Sequence, residues 1–202
     1  MLRVAEHFKA SKLHLVGLSM GGRIARNVAL RAPERLHSLV LISTSPALPG
    51  DRQLPPPTDE FGRFVSTAHV DWTDKSSVID YLVVYSRMLA GDRRPFDEAS
   101  VRDLVGRDIE RASDFTAAQN QDVILDDDRQ HSPLCSITAP TLVVHGTADP
   151  MFPIEHGEAL AREIPGAKLL RFHRAGHGLQ RDDWHTITHL ILDHTAATPA
   201  AG

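Results

Sequence analysis

The chain has almost no cysteine, Cys135 being the only one in 202 residues. That excludes an internal disulfide framework and a cysteine-rich zinc site and suits a reducing compartment. It leaves Cys135 to be read as a small buried apolar residue. An excess of one charge is also lacking: 22 basic residues against 26 acidic ones give a net charge of -4. The arginines are scattered among aspartates rather than gathered in a stripe, so there is no footprint for nucleic acid or an anionic membrane surface. No apolar run approaches the roughly 18 residues that suggest a membrane span, and "MLRVAEHFKASK" holds no signal-peptide core. A cytoplasmic protein with neither nucleic acid nor membrane as partner is the expectation. Tyrosine and tryptophan are scarce, 2 of each, yet 42% of the residues are hydrophobic, enough to bury the core of one globular domain.

What is present has an α/β rhythm, interrupted once. Leu2, Val4, Ala5 and Phe8 fall at helical spacing, so the chain opens inside an amphipathic helix with no N-cap before it. "KLHLVGL" (Lys12 to Leu18) predicts a strand, the segment after it a helix ending near Pro33, and "LHSLVLIST" (Leu36 to Thr44) a buried strand. From Ser45 to Ala139 the pattern changes to a proline-rich loop and three helical stretches, about Phe61–Val70, Ser76–Ala90 and Phe96–Arg111. Such a length between two strands is too long for an ordinary connection and predicts an inserted helical cap. Strands then return at "APTLVVHGTADP" and "AKLLRFH", with helices at about Ile154–Ile164 and Asp183–His194. The expected organisation is an α/β core in two parts over 1–45 and 139–196, an inserted helical cap over 46–138 and a frayed tail over 197–202.

Gly17-Leu18-Ser19-Met20-Gly21 has the G-x-S-x-G spacing of a nucleophile elbow, a strained strand-to-helix turn with glycines where side chains would collide. The strand before and the helix after are both predicted, and the Met20 N–H would face an oxyanion from the helix N-terminus. Taken alone the pattern is weak, and a flexible glycine turn is the bland alternative. Downstream, Asp149 in "HGTADP" and His177 in "AGHG" both follow predicted parallel strands, on the rim where open α/β sheets carry their chemistry. Serine, aspartate and histidine fall in the chain order of one serine-hydrolase architecture.

Through "GLSMGG", "PTLVVHGTADPMFP" and "AGHG" the sequence resembles the α/β-hydrolase superfamily, and "HGTADPMFPIEHGEALAREIPGA" is similar to the anthracycline methylesterase group. The resemblance implies a partial α/β-hydrolase fold, a mostly parallel sheet of about four strands with flanking helices and the inserted cap. It implies Ser19 as nucleophile, His177 as general base and then acid, and Asp149 as the carboxylate that orients the imidazole. Met20 would supply an oxyanion N–H, and Met20 and Met151 would edge the pocket for a small-molecule ester. No cofactor and no metal is implied. A perhydrolase or C–C hydrolase with a similar triad, and an inactive remnant acting as a binding module, are the alternatives.

In that family several strands precede the elbow strand, and an earlier loop supplies a second oxyanion donor. Eighteen residues before Ser19 leave no room for them, so the expectation is an edge strand prone to self-association, weakened catalysis, and Met1 as an internal methionine of a longer reading frame or a truncation start. Phe61, Phe64, Trp72, Tyr81, Tyr85 and Met88 favour an apolar substrate group, though at helical spacing they read first as cap core. His185 and His189, near Asp182 and His194, read as a solvated helix rather than a metal face. Asp126, Asp127 and Asp128 read as a solvated acidic turn, and His145 as packing at a strand end.

Overall fold

A computed structural model describes residues 2–46, 53–93, 95–116 and 133–197. In order these form α1 (Leu2–His7), β1 (Leu13–Leu18), α2 (Met20–Arg31) and β2 (Leu36–Ile42), then α3 (Asp59–Thr67), α4 (Lys75–Leu89) and α5 (Glu98–Arg111). The alternation resumes with β3 (Thr141–Gly146), α6 (Glu155–Glu163), β4 (Lys168–Phe172) and α7 (Trp184–Ala196). The four strands pair in parallel in the order β1-β2-β3-β4.

The pleat of β2 sorts the core. Leu39 and Leu41 face one side, where they pack with Leu15, Val143, Ala25 and Ala29 of α2, and Leu160 of α6. Val40 and Ile42 face the other, against Leu142, Val144 and Ile187 of α7. Both faces of β2 and β3 are therefore covered, and their residues read as continuous apolar runs, as parallel strands must. β1 differs. It lies at the edge of the described sheet, and on its uncovered face Val16 and Leu18 stay exposed.

Among the described residues three α-helices, α3 to α5, stand between β2 and β3 in sequence, each begun by a side-chain cap: Thr58, Asp74 and Asp97 accept from the N–H groups of Phe61, Ser76 and Ser100, meeting donors that a helix leaves orphaned. The aromatics of α3 and α4 pack on one another, Phe64 on Tyr81 with ring centroids 5.7 Å apart and Phe61 on Tyr85 at 5.7 Å. They serve first as the helices' own core.

Two sequence expectations fall away or out of view. Cys135 is exposed, because the short 3-10 turn Leu134–Ser136 turns Leu134 and Ile137 inward and leaves the two residues between them, Cys135 and Ser136, outside. The acidic run Asp126–Asp128 lies outside the described residues. No helix among the described residues is long and apolar enough to cross a membrane.

Candidate active site

The chain leaves β1 through Ser19, whose backbone sits at φ 51°, ψ -116°. A non-glycine residue in that left-handed region stores about 1–3 kcal/mol of strain and persists only where its surroundings over-determine it. Here they do. Its N–H donates to Ile42 O at 2.9 Å, as if the strand continued, while its carbonyl accepts from the Arg23 N–H at 3.2 Å, as the helix begins. A Cβ on Gly17 would lie 2.3 Å from the Gly21 carbonyl oxygen, and one on Gly22 2.8 Å from the Thr44 Cβ, whereas one on Gly21 would meet nothing within 4 Å. The steric need for glycine thus falls on Gly17 and Gly22, not on the last glycine of the G-x-S-x-G pattern, because it is the Gly22 face of α2 that presses on the chain leaving β2.

Serine at a helix N-cap ordinarily turns its hydroxyl back onto the first-turn N–H groups. Ser19 does not. Its Oγ lies 2.9 Å from His177 Nε2 instead.

His177 and Asp149 meet because two loops cross at the carboxyl ends of β3 and β4. β3 closes on Gly146, where an added Cβ would lie 2.3 Å from the carbonyl oxygens of both Ala175 and Gly176. This close approach carries the histidine loop over the acid loop. Asp149, 3% exposed, accepts at Oδ1 from the N–H groups of Met151 and Phe152, both at 2.9 Å, and at Oδ2 from His177 Nδ1 at 2.8 Å. A carboxylate only accepts, so Nδ1 carries the proton and Nε2 is left to accept from the Ser19 hydroxyl. The buried charge is balanced by three donors, as burial of an ionised group requires.

The histidine loop is in turn held by the end of α4. The N–H of His177 donates to Leu89 O at 2.8 Å and that of Gly176 to Ala90 O at 3.2 Å. The Phe152 ring meets the His177 imidazole edge-on at 5.5 Å.

Sequence reasoning singled out Ser19, Asp149 and His177, and they form one hydrogen-bonded chain. Met20 is the first residue of α2 and half-buried, with an N–H that has no acceptor within the helix. Met151 is half-buried, and its backbone N–H serves Asp149. His145 does pack at the strand end, fully buried beneath the acid loop. Its Nε2–H donates to Phe152 O at 2.8 Å, and burial lowers its pKa below the ordinary 6.5, keeping the ring neutral beside Asp149. Its support of the acid loop was not legible, nor were the roles of Leu89, Ala90 and the Phe152 N–H, because backbone groups carry no residue signature. His185 and His189 lie with ring centroids 4.1 Å apart and planes tilted by 36° on the exposed side of α7. Among the described residues no three histidine, cysteine or acidic side chains gather as a metal site.

The comparisons agree with this architecture. The family model described as alpha/beta hydrolase fold matches residues 1–183. Rhodomycin D methylesterase DnrP of Streptomyces peucetius is 26% identical over 212 residues, an overlap covering 97% of this chain and 71% of that protein. The pimeloyl-[acyl-carrier protein] methyl ester esterase of Aromatoleum aromaticum is 27% identical over 165 residues, covering 80% of this chain and 65% of its own length. Among solved structures, a meta-cleavage product hydrolase from Pseudomonas fluorescens IP01 superposes with a TM-score of 0.72 at 20% identity, over 98% of this chain and 70% of that one. With the match running through the elbow, the acid loop and the histidine loop, the chain belongs to the α/β-hydrolase fold family and is a hydrolase.

Proposed function

We propose that the protein hydrolyses small-molecule carboxylic esters through an acyl-enzyme on Ser19. The reading rests on one observation, the continuous hydrogen-bond chain from the Ser19 hydroxyl through His177 to Asp149. In the first half-reaction His177 Nε2 takes the hydroxyl proton as Oγ attacks the ester carbonyl, and the charge on the resulting oxyanion is received by the Met20 N–H. Collapse breaks the ester C–O bond, with the proton on Nε2 passing to the leaving alcohol. Water then attacks the acyl-serine, giving its proton to Nε2, and Ser19 recovers a proton as the acid leaves. Asp149 stays ionised throughout, holding the tautomer and stabilising the imidazolium. Met20, next to Ser19 in sequence, and Met151, whose N–H donates to Asp149, are both half-buried and are assigned to the edge of the substrate pocket.

The likeness to methyl ester esterases supports a small alcohol as leaving group. The helices α3 to α5 act as a cap, a reading supported by the backbone bonds from the histidine loop to the end of α4. The test is turnover of short-chain p-nitrophenyl esters. The wild-type protein should release p-nitrophenol, and the folded Ser19→Ala variant should not. Equal rates in the two would remove Ser19 from the mechanism.

A further inference from the structure

The peptide unit that joins Ser19 to Met20 carries two groups with separate tasks. Its N–H is the donor offered to the oxyanion, and its C=O points back into the protein. That carbonyl takes the Arg23 N–H at 3.2 Å, the first bond of α2, and also a shorter bond, 2.8 Å, from the hydroxyl of Thr44. Thr44 lies 25 residues downstream of Ser19 and no chemistry so far described uses it.

Its surroundings leave it one position. Thr44 is 2% exposed, and its Cβ and methyl fill the notch that Gly22 leaves open, where an added Cβ would lie 2.8 Å from each. A β-branched side chain wedged in this way has one usable χ1. The backbone around it is pinned residue by residue. The Ser43 N–H donates to Val144 O at 3.0 Å, and Ser43 itself sits at φ 44°, a left-handed kink that breaks the pleat after β2. The Ser45 carbonyl accepts from the Arg26 guanidinium at 2.9 Å, and its hydroxyl donates to His156 Nδ1 at 2.9 Å. A second strained residue beside the first asks for a reason, and the Thr44 bond to the elbow supplies one.

We infer that Thr44 is a positioning residue for the oxyanion donor. Its hydroxyl fixes the plane of the Ser19–Met20 peptide, so that the Met20 N–H is aimed before substrate arrives. By donating to the carbonyl it also polarises the amide, and hydrogen bonds in series strengthen one another. Such a donor acts on charge that develops only in the transition state, so losing its support should fall on kcat rather than KM. This inference rests on the proposed esterase reading and deepens it.

The test pairs Thr44→Val, which keeps the shape and removes the hydroxyl, with Thr44→Ser, which keeps the hydroxyl. Two readouts are followed: ester kinetics and the amide proton shift of Met20 by NMR. Thr44→Val should lower kcat about tenfold, short of the roughly 10²- to 10³-fold cost of deleting an oxyanion donor outright. KM should stay within about twofold, the Met20 amide proton should move upfield, and Thr44→Ser should restore both. An unchanged kcat with an unchanged Met20 shift in folded Thr44→Val would overturn the inference, as would a loss borne by KM alone. If wild-type protein shows no Ser19-dependent turnover, the esterase reading fails separately. The Met20 shift then still decides for or against Thr44's hold on that peptide.

Discussion

The elbow at Ser19 and the acid loop at Asp149 present their side chains to the same imidazole by opposite means. At the elbow the backbone is strained, φ 51° at Ser19, and geometry is enforced by close contact, with Gly17 and Gly22 giving way to their neighbours. The acid loop instead aims its carboxylate by saturation, with two backbone N–H groups on one oxygen and His177 on the other. In the role proposed for Ser19 a hydroxyl must be turned away from its local partners, and here its position is set by steric exclusion. A buried anion needs partners on every side, so its position is set by hydrogen bonds. Damage to the two loops should therefore register differently, in stability at the elbow and in protonation at the acid.

The largest effect is expected from Asp149→Asn. The amide can still accept from Met151 and Phe152, so the fold should hold. Its NH2 would face His177 Nδ1 and force the proton onto Nε2, and kcat should fall by about 10⁴-fold. A variant of near wild-type rate would show that orientation of the imidazole is not limiting. Gly17→Ala comes next, and its cost should appear in stability. A methyl 2.3 Å from the Gly21 carbonyl oxygen should cost about 3 kcal/mol and lower the melting temperature by on the order of 10 °C. Gly21→Ala, four residues on and facing open space, should do the reverse, gaining about 0.5–1 kcal/mol as a better helix former. A comparable loss at both positions would erase the distinction drawn between them.

The smallest effect is a slope. His145 is buried neutral, its pKa held below the ordinary 6.5 by burial. Below that pH the unfolded chain takes up a proton that the folded one refuses, so stability contributed by this site is present above about pH 6.5 and lost as pH falls. In His145→Gln, melting temperature measured from pH 8 down to pH 5 should fall less steeply than in wild type. An unaltered slope would place the proton elsewhere.

Much of this was legible in the sequence. The alternation that predicts β2 and β3 survives because parallel strands buried on both faces must be apolar throughout, and each strand and helix falls within a few residues of its expected bounds. The site was legible where chemistry requires a side chain: Ser19 between glycines, Asp149 and His177 just past strand ends. What was hidden depends on neighbours far along the chain. Gly21 was read as sterically required, yet the residue that demands glycine is Gly22, because Thr44 arrives there from β2. Cys135 was expected inside, but the turn between buried Leu134 and Ile137 faces outward at both Cys135 and Ser136. The Leu89 and Ala90 carbonyls that brace the histidine loop would be the same with other side chains.

The measurement closest to the central claim is covalent labelling by a fluorophosphonate, in which Oγ attacks phosphorus and fluoride leaves. Mass spectrometry of the wild-type protein should locate the adduct on Ser19, and His177→Ala, checked for an intact thermal transition, should lose it. Absence of an adduct on folded wild-type protein, or equal labelling with and without the imidazole, would contradict a nucleophile activated through His177.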